Sequence, residues 1–308
     1  MEHIYDVLVL GGGPAGYSAA LYTARAGLDT LVLEKICPGG QMATTDIIDN
    51  YPGFDTGIDG IELGMKMAAG AERFGAKSAY AEVTKVDLAS AVKRVITTNG
   101  EYLAKTVIIA TGASPRPLGL AGEDALIGRG VHYCAHCDGR FYKGKTVMVV
   151  GGGNSAASDA LYLSGLAEKV IVVHRRDTLR ATKIYHAPLM RAENVEFYWN
   201  SKISEILADK RVNAVKVTDL ITGEEREVKI DGLFVSIGRQ PATELFAGQI
   251  ELDAHGYITA DESTKTGLDG VFAAGDVRTK ELRQVVTAAA DGAVAAHMAE
   301  TYIAMQEA

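Results

Sequence analysis

The chain has 308 residues, 47% of them hydrophobic and 23% charged, and carries a formal net charge of −8. That length suggests two domains of ordinary globular composition. The acidic balance argues against a nucleic-acid partner, which needs a basic face, and no run approaches the roughly 20 apolar residues of a membrane span.

The opening stretch, "MEHIYDVLVLGGGPAG", is a strand running into a Gly-rich turn, without the basic start and small-residue cleavage site of a signal peptide. With three cysteines, too few for a disulfide framework, it points to the cytoplasm. Residues 6–10 form an apolar run that predicts a buried parallel strand; residues 14–26 predict an Ala-rich helix, and residues 31–33 a second strand. Gly11, Gly13 and Gly16 fall at the strand-to-helix turn as GxGxxG, the context in which that pattern signals dinucleotide binding. Glycine there allows the tight turn and close backbone approach to a pyrophosphate, and the helix start offers free N–H groups. Glu34 ends the second strand, where its carboxylate can accept ribose hydroxyls and would repel a 2′-phosphate.

Further on, "VIIATGASPR" (107–116) predicts a strand leaving this module through an Ala-Thr-Gly turn. "HYCAHCDGRF" (132–141) then sets Cys134 and Cys137 three apart, with His132 and His136 beside them and Asp138 following. By itself the pattern allows half a zinc site, a structural disulfide or a redox pair. Zinc needs about four ligands, and these four side chains lack a second CxxC or HxxxH arm.

Next, "TVMVVGGGNSAASDALYLSGLAEKVIVVHRRD" repeats the strand–turn–helix–strand of the amino terminus at a constant offset of 140. Gly151, Gly153 and Ala156 align with Gly11, Gly13 and Gly16, and His174 aligns with Glu34. The second module ends in "HRRDTLR", which puts His174, Arg175, Arg176 and Arg180 where the first has its acid. Arginine forks bind phosphate dianions with charge-assisted hydrogen bonds, so this site should prefer NADPH over NADH. "LFVSIGRQPAT" (233–243) predicts the matching exit, and "GVFAAGDVRTKELRQVVTAAADGAVAAHMA" (270–299) a strand, the pair Gly275-Asp276 and a helix. Val285, Ala288, Ala289, Gly292 and Ala296 share one face of that helix at helical spacing. The expected architecture is α/β, with two Rossmann-like three-layer nucleotide-binding domains. An NADPH-binding domain of residues 114–243, carrying the CxxC, is inserted into a FAD-binding domain of residues 1–113 plus 244–308.

The motifs "GGGPAGYSAA", "GGQMATTDIIDNYPGF", "ATGASPR", "CAHCDG", "GGGNSA", "HRRDTLRA" and "AAGDVRTKELRQVVTAAADGA", in that order, span essentially the whole chain. In them the chain closely resembles the low-molecular-weight thioredoxin reductases of bacteria, flavoprotein disulfide reductases that use FAD and NADPH. The resemblance implies that Gly11, Gly13, Pro14, Ala15, Gly16 and Glu34 hold the FAD pyrophosphate and adenosine ribose. Gly40, Gln41 and Asn50 would line the flavin, the Val83 backbone would meet the adenine, and Thr111, Gly112 and Gly275 would complete the cradle. Asp276 would bind a ribityl hydroxyl, and Arg283, Gln284 and Val285 would face the isoalloxazine. For NADPH it implies Gly151, Gly153, Asn154, Ser155, Ala156, His174, Arg175, Arg176 and Arg180, and it implies no metal site. Cys137 would be the flavin-side cysteine, Cys134 the one that attacks the partner disulfide, and Asp138 the general acid and base.

The implied partner is thioredoxin or a thioredoxin-like dithiol protein, and the implied assembly a homodimer with no added carboxy-terminal dimerisation domain. Rotation of the NADPH domain about joins near 113–117 and 242–246 would let nicotinamide and disulfide take turns at one flavin. Rival readings are another redoxin or small disulfide as substrate, a ferredoxin donor, or a zinc or redox-sensing scaffold. The chain departs from the family pattern at Asn154, at "AASDA" (156–160) and at His136 within the CxxC. A cation there would make the disulfide more oxidising. Cys37 is assigned no role.

Overall fold

A computed structural model describes residues 3–45 and 47–307. They divide into two compact units, Met1–Ser114 with Gln240–Ala308, and Pro115–Arg239. The second crossing lies slightly before the expected 243/244 boundary. Ala242 ties that segment to the first unit, donating its N–H to Gly112 O at 3.0 Å and accepting from the Thr111 hydroxyl at 2.8 Å. The crossing strands Ala113–Pro115 and Arg239–Pro241 pair as a short ladder.

In the first unit, strand Ile4–Leu10 leads into helix Pro14–Arg25 and strand Thr30–Glu34. The parallel part of the sheet runs Lys77–Tyr80, Thr30–Glu34, Ile4–Leu10, Gly100–Ile109 and Val271–Ala273. Val7, Leu8 and Val9 are fully buried, because such a sheet is covered on both faces. The strand Gly100–Ile109 pairs with Ile4–Leu10 along one edge and is long enough to serve two ladders along the other. Its first half pairs antiparallel with Lys93–Thr97, itself hairpinned to Val83–Asp87, and its second half pairs parallel with Val271–Ala273. It ends at Ile109, and the Ala-Thr-Gly turn at 110–112 separates it from the short strand Ala113–Pro115.

The second unit repeats the plan. Its parallel sheet runs Val195–Tyr198, Lys169–Val173, Thr146–Val150, Gly232–Val235 and Val131–His132. Helix Asn154–Ser164 follows the central strand, and a three-stranded antiparallel sheet, Ser201–Ala208, Val212–Asp219 and Glu225–Lys229, lies outside it. In each unit the first strand of the glycine motif is flanked by strands reached in opposite directions, and the turn sits at that switch point. Open parallel sheets bind ligands there.

The last helix, Val285–Glu307, packs on Pro14–Arg25. A side chain at Gly292 would run into the Ala15 carbonyl, so glycine permits the close approach. Its buried stripe is Ala288, Asp291, Gly292, Ala295, Ala296, Ala299 and Ile303, while Val285 and Ala289 are half-buried. The stripe thus includes a carboxylate. Among the described residues no helix is long and apolar enough to cross a membrane.

Candidate active site

Gly11 adopts φ +107, and any side chain there would strike the Ala110 carbonyl. Gly16 is equally constrained, since its Cβ would overlap the Gly11 carbonyl. The space that a Cβ at Gly13 would occupy has no atom within 4 Å. Helix Pro14–Arg25 has proline in its first turn and no side-chain cap on its N–H groups. An open glycine above an uncapped helix start suits a pyrophosphate.

Other elements converge on this turn. Glu34 accepts hydrogen bonds from Gly12 N–H at 2.7 Å and Ile36 N–H at 3.0 Å, which fixes its carboxylate beside the turn. Gly40 opens the short helical turn Gly40–Thr44 and abuts Gly13 Cα, while Gln41 donates to the Ala113 carbonyl. Gly275 lies against Ala15, and its N–H donates to Asp291 at 2.9 Å. Asn50 and Gln284, far apart in sequence, meet in a 2.9 Å hydrogen bond. Val83 starts a strand close to Glu34, whose carbonyl accepts from Ala81 N–H at 2.8 Å. Arg283 turns its side chain onto the carbonyls of Asp276 and Arg278 and over the Tyr257 ring, 4.0 Å from its centroid. Asp276 lies in the turn Gly275–Val277, and Val285 packs on Met42, Ile48, Ile58 and Leu63. The structure therefore brings Glu34, Gly40 and Gly275 against the first glycine turn and its helix, with Glu34 suited to a free ribose.

The second turn has the same open centre. No atom lies within 4 Å of a Cβ at Gly153, and helix Asn154–Ser164, which starts Asn154, Ser155, Ala156, has no side-chain cap. Gly151 packs on the Ser236 carbonyl, and Ala156, the methyl in place of the third glycine, is fully buried. Residues 174–182 are stapled to the turn by three backbone donors. Arg180 and Ala181 N–H reach Gly152 O at 2.7 and 3.0 Å, and Thr182 N–H reaches Asn154 Oδ1 at 2.8 Å. Asn154, a departure from the family pattern, thus serves as an acceptor that carries no charge. The staple sets Arg175, Arg176 and Arg180 at the turn with exposed side chains. His174 is buried against Gly152, its Nε2 without a partner. Burial, then the charges of Arg180, Arg176 and Arg175, push its pKa down, so the ring is neutral near pH 7. An orphaned buried nitrogen and three arginines fit a nucleotide phosphate.

Cys134 and Cys137 are joined as a disulfide across the short helix Ala135–Asp138. Among the described residues no group of three or more His, Cys, Asp or Glu could hold a metal. Asp138 Oδ2 lies 3.0 Å from His132 Nδ1. His136 is half-exposed and stacks on Tyr162 with ring centroids 4.3 Å apart, its Nδ1 3.8 Å from Asp159 Oδ1. Asp159 also takes a 2.5 Å hydrogen bond from Ser236. Two of the three departures noted in the sequence, His136 and "AASDA", therefore meet in space. Sequence reasoning missed Asp159 and Tyr162 as neighbours of the CxxC; their i, i+3 spacing on one helix face was the available signal.

Residues 5–292 match the family described as pyridine nucleotide-disulphide oxidoreductase. The chain belongs to that family. Among curated relatives of this oxidoreductase, a thioredoxin reductase of Listeria innocua is 48% identical over 303 residues, covering 98% of this chain and 95% of that one. One from Bacillus subtilis is 47% identical over 303 residues, with 98% and 96% covered. The crystal structure of thioredoxin reductase from Streptococcus pyogenes superposes with a TM-score of 0.91 at 43% identity, covering 99% of this chain and 100% of that one. The oxidoreductase thus shares the two Rossmann-like domains of these enzymes.

Proposed function

We propose that this chain is a thioredoxin-disulfide reductase that uses NADPH and FAD. The observation that carries the reading is a disulfide, Cys134–Cys137, within the same compact unit as a glycine turn bearing exposed arginines. The thioredoxin reductases to which it is similar along nearly their full length support it. When bound, the cofactors supply hydride transfer from NADPH to flavin and an electron pair for the disulfide.

The chain's own residues do the rest. Gly11, Gly13, Pro14, Ala15, Gly16 and Glu34 hold the FAD phosphates and ribose, and Gly275, Asp276, Arg283, Gln284 and Val285 line the flavin side. Arg175, Arg176 and Arg180 select the 2′-phosphate of NADPH, and His174, being neutral, adds a hydrogen-bonding nitrogen without charge. Asp138 gives its proton to the thiolate released when the disulfide opens. Cys134 then attacks the partner disulfide as a thiolate, and the mixed disulfide is resolved by Cys137. A homodimer in the cytoplasm is part of the same reading, as is thioredoxin itself, ahead of other redoxins, as partner.

Anaerobic titration tests it. NADPH should bleach the flavin absorbance at far lower concentration than NADH, and oxidised thioredoxin should restore it. Flavin that NADPH leaves oxidised would overturn the reading.

A further inference from the structure

Asp138 is one end of a buried chain of side chains. His132, on the strand Val131–His132, is 6% exposed and places Nδ1 3.0 Å from Asp138 Oδ2. Its Nε2 lies 2.6 Å from the Tyr142 hydroxyl. The imidazole stacks on Phe234 with centroids 5.2 Å apart, and Tyr142 stands edge-on to both rings. Tyr142 is 1% exposed, and the positive charge of Arg211 acts on its hydroxyl, against the effect of burial. Burial pushes the phenol above its ordinary value, so it keeps its proton and acts as a donor.

A single set of protons satisfies the chain. Tyr142 O–H points to His132 Nε2, and His132 Nδ1–H to Asp138. Every donor is aimed toward the carboxylate, and such chains polarise one another. Among the described residues, the charged and titratable groups facing this chain are Arg211 at the edge of strand Val212–Asp219, Asp231 before strand Gly232–Val235, Lys145, whose Nζ lies 5.4 Å from the Tyr142 ring centroid, and the cysteine pair.

We propose that His132 is a positioning residue for the disulfide step. Resting on the reading of Asp138 as proton donor, it aims the carboxyl group and stabilises the charge that arrives there. When Asp138 protonates the thiolate, its O–H bond breaks, an S–H bond forms, and negative charge moves from sulfur to carboxylate. A donor already pointed at that oxygen needs no reorganisation at that moment. His132 is buried, so a partner protein does not touch it.

The test is thioredoxin reduction by the holoenzyme across pH, with kcat and KM separated. In His132→Gln the amide reaches toward Tyr142 and leaves Asp138 without its donor, whereas in His132→Asn the amide nitrogen replaces Nδ1. His132→Gln should lower kcat about 10-fold or more with KM for thioredoxin unchanged, as expected for losing a hydrogen bond to a charged group. The limb of its pH profile that depends on Asp138 should move to higher pH, because a carboxylate that loses a donor binds its proton more tightly. His132→Asn should recover most of the rate. Tyr142→Phe, which removes one hydroxyl and keeps the ring, should move the profile the same way by less, and it decides the matter if the histidine variants do not fold. A wild-type profile in both His132→Gln and Tyr142→Phe, or equal losses in the Gln and Asn variants, would overturn the proposal. Asp138→Asn separates the two layers. Its loss of activity beside wild-type behaviour in the other variants sinks only the role of His132, while full activity in Asp138→Asn sinks the proton-donor reading as well.

Discussion

Arg175 and Arg176 show how one residue type divides two otherwise matching turns. Where the first module has Glu34, held by Gly12 and Ile36 N–H groups, the second has a neutral buried His174 and exposed guanidinium groups. Each charge-assisted hydrogen bond to a phosphate contributes about 1.5–3 kcal/mol. Arg175→Ala or Arg176→Ala alone should therefore raise KM for NADPH about 10–100-fold and leave KM for NADH near its starting value; equal effects on both would refute the assignment. Asp159 carries a second prediction. Burial pushes its carboxyl above the ordinary value, against the hydrogen bond from Ser236 and the charges of His136 and Arg239. A folded-state value raised above the unfolded one means that ionising Asp159 costs stability as pH rises through it, a cost absent below about pH 4. Asp159→Asn should then melt at higher temperature than wild type near pH 7, with the gap closing on acidification. A variant that melts lower at every pH would show that the contact to His136 matters more than the charge.

At the scale of elements, the end of the first unit is held by a charge cluster inside a helix stripe. Arg278 donates to Asp291 through Nε at 2.7 Å and an η nitrogen at 2.8 Å, and Lys280 Nζ reaches the same carboxylate at 2.9 Å. Burial alone would raise the Asp291 pKa, but the hydrogen bonds from Arg278 and Lys280 outweigh it and hold the carboxyl below its ordinary range. The stability it contributes is thus full above about pH 4 and lost as pH falls through the depressed folded value. Asp291→Asn should cost about 3–5 kcal/mol in urea unfolding at pH 7, by stranding a buried guanidinium, and should flatten that part of the acid dependence. The glycine turns, their helices and the flanking strands were legible because local steric demands fix those residues at fixed spacings. Asp291 was not, because the sequence shows an acid in an Ala-rich helix and its partner comes from a loop before the helix begins. The antiparallel strands Ser201–Ala208, Val212–Asp219 and Glu225–Lys229 were likewise unread, since their alternating polar faces carry no motif. The pairing of His132 with Asp138 was hidden for a different reason. Both residues were noted, yet only the parallel strand Gly232–Val235 beside Val131–His132 turns the imidazole into the interior, against Phe234.

For the whole molecule, Pro115 and Pro241 stand in or beside the paired crossing strands, where restricted backbone suits a hinge rather than a floppy linker. If nicotinamide and disulfide take turns at one flavin, a crosslink that fixes the two units in one orientation should abolish NADPH-driven thioredoxin reduction, and cleaving it should restore turnover. Unchanged turnover in the crosslinked protein would rule out the alternation. The discontinuous first unit also bears on synthesis. Its sheet needs Val271–Ala273 beside Gly100–Ile109, and its opening helix needs Gly292 of the last helix against Ala15. The inserted unit is one uninterrupted stretch, Pro115–Arg239. On the ribosome, where chains emerge amino terminus first, the unit that begins second is therefore the first to have all its parts, and the amino-terminal glycine turn waits, half-walled, for the final helix.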